Sequence, residues 1–126
     1  MMVSKILYIE DNPFNLRLVK KMLEMSGFEM LGAADGLTGL EIIQSEMPDL
    51  ILLDMNLPDI DGMEVFKQLR FELKINIPVV ALTANAMYGD KERFLDAGCD
   101  DYISKPVDRR ELLRTVLQFM EASESV

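Results

Sequence analysis

The stretch Asp49-Leu50-Ile51-Leu52-Leu53-Asp54-Met55-Asn56-Leu57-Pro58-Asp59-Ile60-Asp61-Gly62 constrains the fold more than any other. Four apolar residues run straight into an acid, and a proline with an acidic, glycine-ended turn follows. A continuous apolar run of this length between breakers reads as a strand buried on both faces, as in a parallel sheet. Asp54 then stands at the carboxyl end of a central strand, the edge where open α/β sheets place their chemistry. An acid hard against a buried strand costs desolvation, so its presence there asks for a function.

The rest of the chain alternates in the same manner. Lys5 to Ile9 reads as a first strand, stopped by Glu10-Asp11-Asn12-Pro13. Asn12 or Asp11 caps the next helix and Pro13 fits its first position. That helix runs to about Ser26, with Leu16, Val19 and Leu23 joined by Leu18, Met22 and Met25 at helical spacing, and Gly27 ends it. Phe28 to Ala33 is a short second strand, and Asp35-Gly36 opens a helix with Leu37, Leu40 and Ile43. After the central strand, Asp61 and Glu64 resemble a capping pair for a third helix that turns Val65, Phe66, Leu69 and Leu73 inward. Ile77 to Leu82 is a fourth strand. A fourth helix, Tyr88 to Ala97, has so small an apolar face that it should be loosely held. Asp101 to Ile103 is a short fifth strand halted by Pro106. Asp108 and Glu111 begin a fifth helix whose Leu112, Leu113, Val116, Leu117 and Met120 form an apolar stripe, with Glu121 to Val126 a frayed polar tail. Five strands alternating with five helices, without long linkers, predict a doubly wound parallel sheet with helices on both faces.

Composition narrows the chemistry. The 126 residues suit one domain with a real core. Thirteen basic against 22 acidic residues give a net charge of −9, which argues against a nucleic-acid surface. No apolar run approaches the ~18–20 residues needed to span a bilayer. No signal-peptide core precedes the first strand, which points to the cytoplasm. The single cysteine, Cys99, excludes an internal disulfide and a cysteine zinc site, and reads as a small buried hydrophobe. The absence of histidine removes Ser-His and Cys-His catalysis.

In a parallel sheet the strand ends share one edge. Strand one delivers Glu10 and Asp11 there, strand three Asp54 with Asn56 just after, strand four Thr83 and Ala84, strand five Ser104, Lys105 and Pro106. Three converging carboxylates repel one another unless a cation is near. An all-oxygen ligand set without histidine selects a hard ion such as Mg²⁺. A metal and an ammonium flanking one carboxylate make a site for a phosphoryl group, whose oxygens need balanced positive charge during transfer. Singly, each residue has an ordinary reading as a cap or a loop residue. The signal lies in their joint order and spacing.

On these residues the chain resembles the receiver (CheY-like) domain of two-component response regulators. The matching pieces are Ile9-Glu10-Asp11-Asn12, Asp49 to Pro58, Asp61-Gly62, Pro78 to Ala84, Gly98 and Asp101-Tyr102-Ile103-Ser104-Lys105-Pro106, and the likeness spans about residues 4–120. The Glu10 to Asn15 turn and Thr83-Ala84-Asn85-Ala86-Met87 look like stand-alone receivers of the DivK type and those fused to hybrid kinases. The resemblance implies a flavodoxin-like strand order, 2-1-3-4-5. It makes Asp54 the phosphoacceptor, served by a histidine kinase or histidine phosphotransfer protein. Glu10, Asp11, Asp54 and the Asn56 carbonyl would hold Mg²⁺ or Mn²⁺. Thr83, the Ala84 N–H and Lys105 would hold the phosphoryl oxygens. Thr83 and Tyr102 would form the switch, and the Lys105–Pro106 bond would be cis. Asn56 and Asn85 lie where the family varies. The expected output surface is helix four, strand five and helix five, acting on a protein partner.

Three other readings compete, and the first, a nucleotide-binding α/β domain, is opposed by the Glu10 to Asn15 turn, which has no glycine and is acidic, the opposite of a phosphate cradle. A phosphatase of the haloacid dehalogenase type also uses a strand-end Asp and Mg²⁺, but needs a second acid where Asn56 stands. A phosphorylation-independent binding module on the same fold would not need the intact Glu10, Asp11, Thr83 and Lys105. The reading is therefore a phosphoacceptor rather than a turnover enzyme. No output domain, nucleic acid or membrane partner is expected.

Overall fold

The computed structural model describes residues 4–84 and 89–124, and the side chains among these as far as residue 120. Strands β1 (Lys5–Ile9), β2 (Glu29–Ala33), β3 (Leu50–Asp54), β4 (Val79–Thr83) and β5 (Asp101–Ser104) alternate with helices α1 (Pro13–Met25), α2 (Gly36–Glu46), α3 (Gly62–Lys67), α4 (Asp90–Ala97) and α5 (Arg109–Glu124). The strands form one sheet in the order β2-β1-β3-β4-β5, with every neighbouring pair parallel. The expected doubly wound architecture and strand order are both present.

The central strand behaves as its sequence requires. All five residues of β3 are buried, and successive side chains serve opposite faces. Leu50 and Leu52 join Val19 and Leu23 of α1 and Leu112 and Val116 of α5. Ile51 and Leu53 join Leu40 and Ile43 of α2, Val65 and Phe66 of α3 and Phe94 of α4. Fully burying such a side chain stabilises the fold by roughly 1.5–3 kcal/mol. Helices therefore cover both faces of β3, and β1 and β4 pair along both of its edges.

Several local expectations are corrected. The third helix does not stay α-helical. After Lys67 it widens into a π-helical turn, Gln68–Glu72, closed by Leu73 N–H donating to the Gln68 carbonyl at 2.8 Å. Arg70 lies within this turn. Its guanidinium reaches forward to the carbonyls of Ile75 (2.7 Å) and Ile77 (3.0 Å) and to Asp100 Oδ2 (3.2 Å), which in turn accepts from Val79 N–H. Holding the incoming loop this way leaves Leu73 exposed rather than inward. Leu37 and Leu117, also counted into apolar stripes, are more than 40% exposed. The fifth helix continues to Glu124, so the backbone from Glu121 to Glu124 is helical rather than frayed, and Ser125 and Val126 lie outside the described residues. Asp61 caps Met63 N–H, but Glu64 does not reciprocate and instead accepts from Gln68. Helix four starts at Asp90; Tyr88, expected as its first residue, lies outside the described residues.

Helix four does have the small apolar face expected of it. It buries Phe94 alone, lacks a side-chain cap, and is bounded by Gly89 and Gly98 in left-handed conformations.

Candidate functional site

Parallel registration brings the site together. Ile9 pairs with Leu53, Leu53 with Ala81, and Thr83 with Ser104. The residues that follow each strand are thereby fixed at one edge. Lys105 N–H donates to the Thr83 carbonyl at 2.9 Å, and Met55 N–H to that of Leu82 at 3.0 Å. The Lys105–Pro106 peptide bond is cis, as expected.

Glu10 and Asp54 are each 1% exposed, whereas Asp11 is exposed. One carboxylate oxygen from each of these three lies within 4.8 Å of the others. Lys105 Nζ sits between the two buried acids, 3.0 Å from Glu10 Oε1 and 3.0 Å from Asp54 Oδ2. Three carboxylates against one ammonium leave the cluster negative, and an exposed acid at its mouth gives a cation an approach. The donor set is oxygen only, which suits a hard divalent ion.

The two buried acids differ in their electrostatics. Burial pushes the Asp54 carboxyl up, and a hydrogen bond shared with Glu10 adds to it; the Asn56 N–H and Lys105 oppose this, and the group settles at about 6. Burial also acts upward on Glu10, but hydrogen bonds from Asp54, Asn15 and Lys105 outweigh it and hold this carboxyl at about 2. Two like groups in one low-dielectric pocket cannot ionise with equal ease. The pair resists holding two full negative charges, with burial acting upward on both carboxyls and Lys105 acting downward on both. Lys105 is held above its ordinary value: burial lowers it, but the bonds to Glu10 and Asp54 win.

Tyr8 and Asn15 belong to this site, and sequence reading placed neither there. Tyr8 Oη donates to Glu10 Oε1 at 3.2 Å, and Asn15 Nδ2 to the same oxygen at 2.9 Å. A signal existed: a phenol in an otherwise aliphatic strand, two residues before an acid, shares that acid's face.

The loop after β3 is fixed from several directions. Asn56 N–H donates to Asp54 Oδ1 at 3.0 Å. Asp59 accepts from Gly36 N–H (2.9 Å) and Leu37 N–H (3.0 Å), tying the loop to the start of α2. Gly62 leaves no room for a side chain: a Cβ there would lie 2.5 Å from Met55 Cα and 2.7 Å from the Asp54 carbonyl oxygen.

On the other side, Thr83 is 1% exposed at the end of β4 and Ala84 is exposed beside it. Asn85 lies outside the described residues. Tyr102 is half-buried on β5, with Lys91 Nζ 4.9 Å from its ring centroid. A cavity of about 400 Å³, mostly apolar, opens beside Lys105 between Phe14, Leu18, Pro106 and Val107 rather than over the acids. The edge thus joins Glu10, Asp11, Asp54, Asn56, Thr83, Ala84 and Lys105, with Tyr102 on β5, the strand that ends just before Lys105.

Comparison with known proteins shows what family and fold the chain shares. The sequence profile described as the response regulator receiver domain matches residues 6–117. The chain is similar to the polar-differentiation response regulator DivK of Brucella ovis, with 38% identity over 120 residues, covering 94% of this chain and 98% of that one. Its fold is similar to that of a CheY-like receiver domain protein from Methanospirillum hungatei, with a TM-score of 0.89, 31% identity and 98% of each chain covered. It is also similar to the receiver domain of a sensor histidine kinase from Pseudomonas aeruginosa, a structure described with a magnesium ion coordinated in the active site cleft. There the TM-score is 0.86 and the identity 36%, over 95% of this chain and 99% of that one.

Proposed function

Because the chain belongs to the response regulator receiver domain family of two-component signalling proteins, we propose that Asp54 is its phosphoacceptor. The observation that carries this reading is the placement of Asp54: buried at the end of the central strand, clustered with Glu10 and Asp11, and paired with Lys105 Nζ at 3.0 Å. A carboxyl at about 6 is mostly ionised at neutral pH and so is nucleophilic. Its oxygen attacks the phosphorus of a phosphohistidine donor in line. The P–N bond breaks, an acyl phosphate forms, and the donor imidazole leaves with a proton from solvent.

Glu10, Asp11, Asp54 and the Asn56 carbonyl would hold Mg²⁺ or Mn²⁺. Bound there, the ion supplies positive charge against the phosphoryl oxygens. Lys105, the Thr83 hydroxyl and the Ala84 N–H complete the set of donors, which is what a transferring phosphoryl group needs. Modification adds charge of about −1.5 to −2. The Thr83 hydroxyl then moves toward the phosphoryl group and Tyr102 turns inward, a shift between two populated packings. The partners are a histidine kinase or phosphotransfer protein upstream and a protein target on the α4, β5 and α5 surface. No described helix is long and apolar enough to cross a membrane, and the protein acts in the cytoplasm. It is not a turnover enzyme: Asn56 stands where acid–base hydrolysis would need a second acid.

Incubation with a small acyl-phosphate donor and Mg²⁺, followed by intact-mass measurement, tests this. One added phosphate is expected, absent without Mg²⁺ and absent in Asp54→Asn. Undiminished labelling of that variant would remove Asp54 from its role.

A further inference from the structure

We propose that Tyr8 and Asn15 are positioning residues for the metal site: with Lys105 they occupy one oxygen of Glu10, so that its other oxygen is the one presented to a divalent cation. This rests on the reading of Glu10 as a metal ligand.

Three donors converge on Glu10 Oε1: Tyr8 Oη at 3.2 Å, Asn15 Nδ2 at 2.9 Å and Lys105 Nζ at 3.0 Å. A carboxylate oxygen has two lone pairs. With three donors on it, Oε1 has no acceptor direction left, so Oε2 is the oxygen left to face a cation, directly or through water. The arrangement is also braced from behind. Asn12 Oδ1 accepts from Asn15 N–H at 3.1 Å, so the cap that starts α1 also fixes the residue that reaches back to Glu10.

Tyr8 is the sharper case. It is fully buried among Ile6, Val19, Leu52 and Leu82, where an aliphatic side chain would pack without any polar partner. A buried phenol must find an acceptor, and the period of a strand puts Glu10 on the same face. The hydroxyl is directed at the one residue whose rotamer the site most needs fixed. Tyr8 and Asn15 are also neutral. They orient the carboxylate without cancelling charge, and the cluster stays negative for a cation. Lys105 cannot serve in this way alone, because it also pairs with Asp54. Mg²⁺ demands near-ideal geometry and uses few protein ligands, so a ligand free to swing weakens it disproportionately.

The test is calorimetric titration of Mg²⁺ into the unmodified protein, Tyr8→Phe, Asn15→Ala, and the same two changes in a Glu10→Gln background. Thermal midpoints are measured in parallel in chelator. Tyr8→Phe and Asn15→Ala should each weaken Mg²⁺ about tenfold. The Tyr8→Phe midpoint in chelator should be unchanged or raised. In the Glu10→Gln background neither change should cost anything more, because the effect travels through Glu10. Asn15, on a half-exposed helical position, keeps the test open if Tyr8→Phe does not fold. Unaltered or tighter Mg²⁺ binding in the single variants overturns the inference, as does an equal loss in the Glu10→Gln background. Absence of Mg²⁺ binding by the unmodified protein overturns the proposed function along with it.

Discussion

Asp54 has two neighbours of opposite character. On one side the turn from β1 into α1 is over-determined. Asn12 caps the thirteen-residue helix through Phe14 and Asn15, Pro13 fits its first turn, and Glu10 receives three donors on one oxygen. On the other side α4 has eight residues, a glycine at each end, no side-chain cap and a single buried anchor, Phe94. The difference is one of local stability. The first side resists change because many interactions must break together, while the second can reorganise for little. For the proposed phosphoacceptor this division would be useful: charge added to Asp54 would meet a fixed half that holds it and a looser half that can respond.

The largest expected break in this contrast comes from two glycines. A Cβ at Gly62 would overlap the backbone of Asp54 and Met55, so Gly62→Ala should cost about 3 kcal/mol and displace the Asp54 backbone. Gly89, at the start of α4, has open space around it; Gly89→Ala meets only the strain of its positive φ, about 1 kcal/mol. Chemical denaturation of both variants measures the gap, and equal losses would erase it.

Next is the charge stored in the fixed half. The Asp54 carboxyl is raised to about 6, above its value of about 4 in an unfolded chain. In chelator, the stability linked to its protonated form is in full force below about pH 4 and is lost as pH rises through about 6. Asp54→Asn escapes that loss. At pH 7 without metal the variant should be more stable by roughly 1–2 kcal/mol, with the gain closing toward pH 4. Mg²⁺ should stabilise the unmodified protein and not the variant. Thermal melts across pH, with and without Mg²⁺, check both signs.

Smaller effects sharpen the comparison. Asn12→Ala removes the acceptor for two helix-start N–H groups and should cost about 1 kcal/mol. Helix α4 has no such cap to remove. What it has is Lys91 over the Tyr102 ring, and a double-mutant cycle on that pair should return about 0.5–1 kcal/mol.

The legibility of the molecule in its sequence follows the same division. Where burial dictates residue type, as in Leu50 to Leu53 and in Ile6 to Ile9, pattern alone located the strand and its face. Parallel order then brought Glu10, Asp54 and Lys105 to one edge without any contact being known. What pattern missed depends on long-range partners. Within the π-helical turn, Arg70 reaches Ile75, Ile77 and Asp100, contacts that periodicity cannot register. Tyr8 looked like one more strand residue because its hydroxyl partner lies outside the apolar pattern. Leu37, Leu73 and Leu117 were misplaced because helical spacing says which residues share a face, not how far the neighbouring element extends to cover it.

Hydrogen exchange of the protein with and without the phosphoryl group on Asp54 tests the central claim most directly. The account predicts altered exchange in α4, Asp90–Ala97, and in β5, Asp101–Ser104, with α1, Pro13–Met25, unchanged. Altered exchange concentrated in α1, with α4 and β5 untouched, would contradict it.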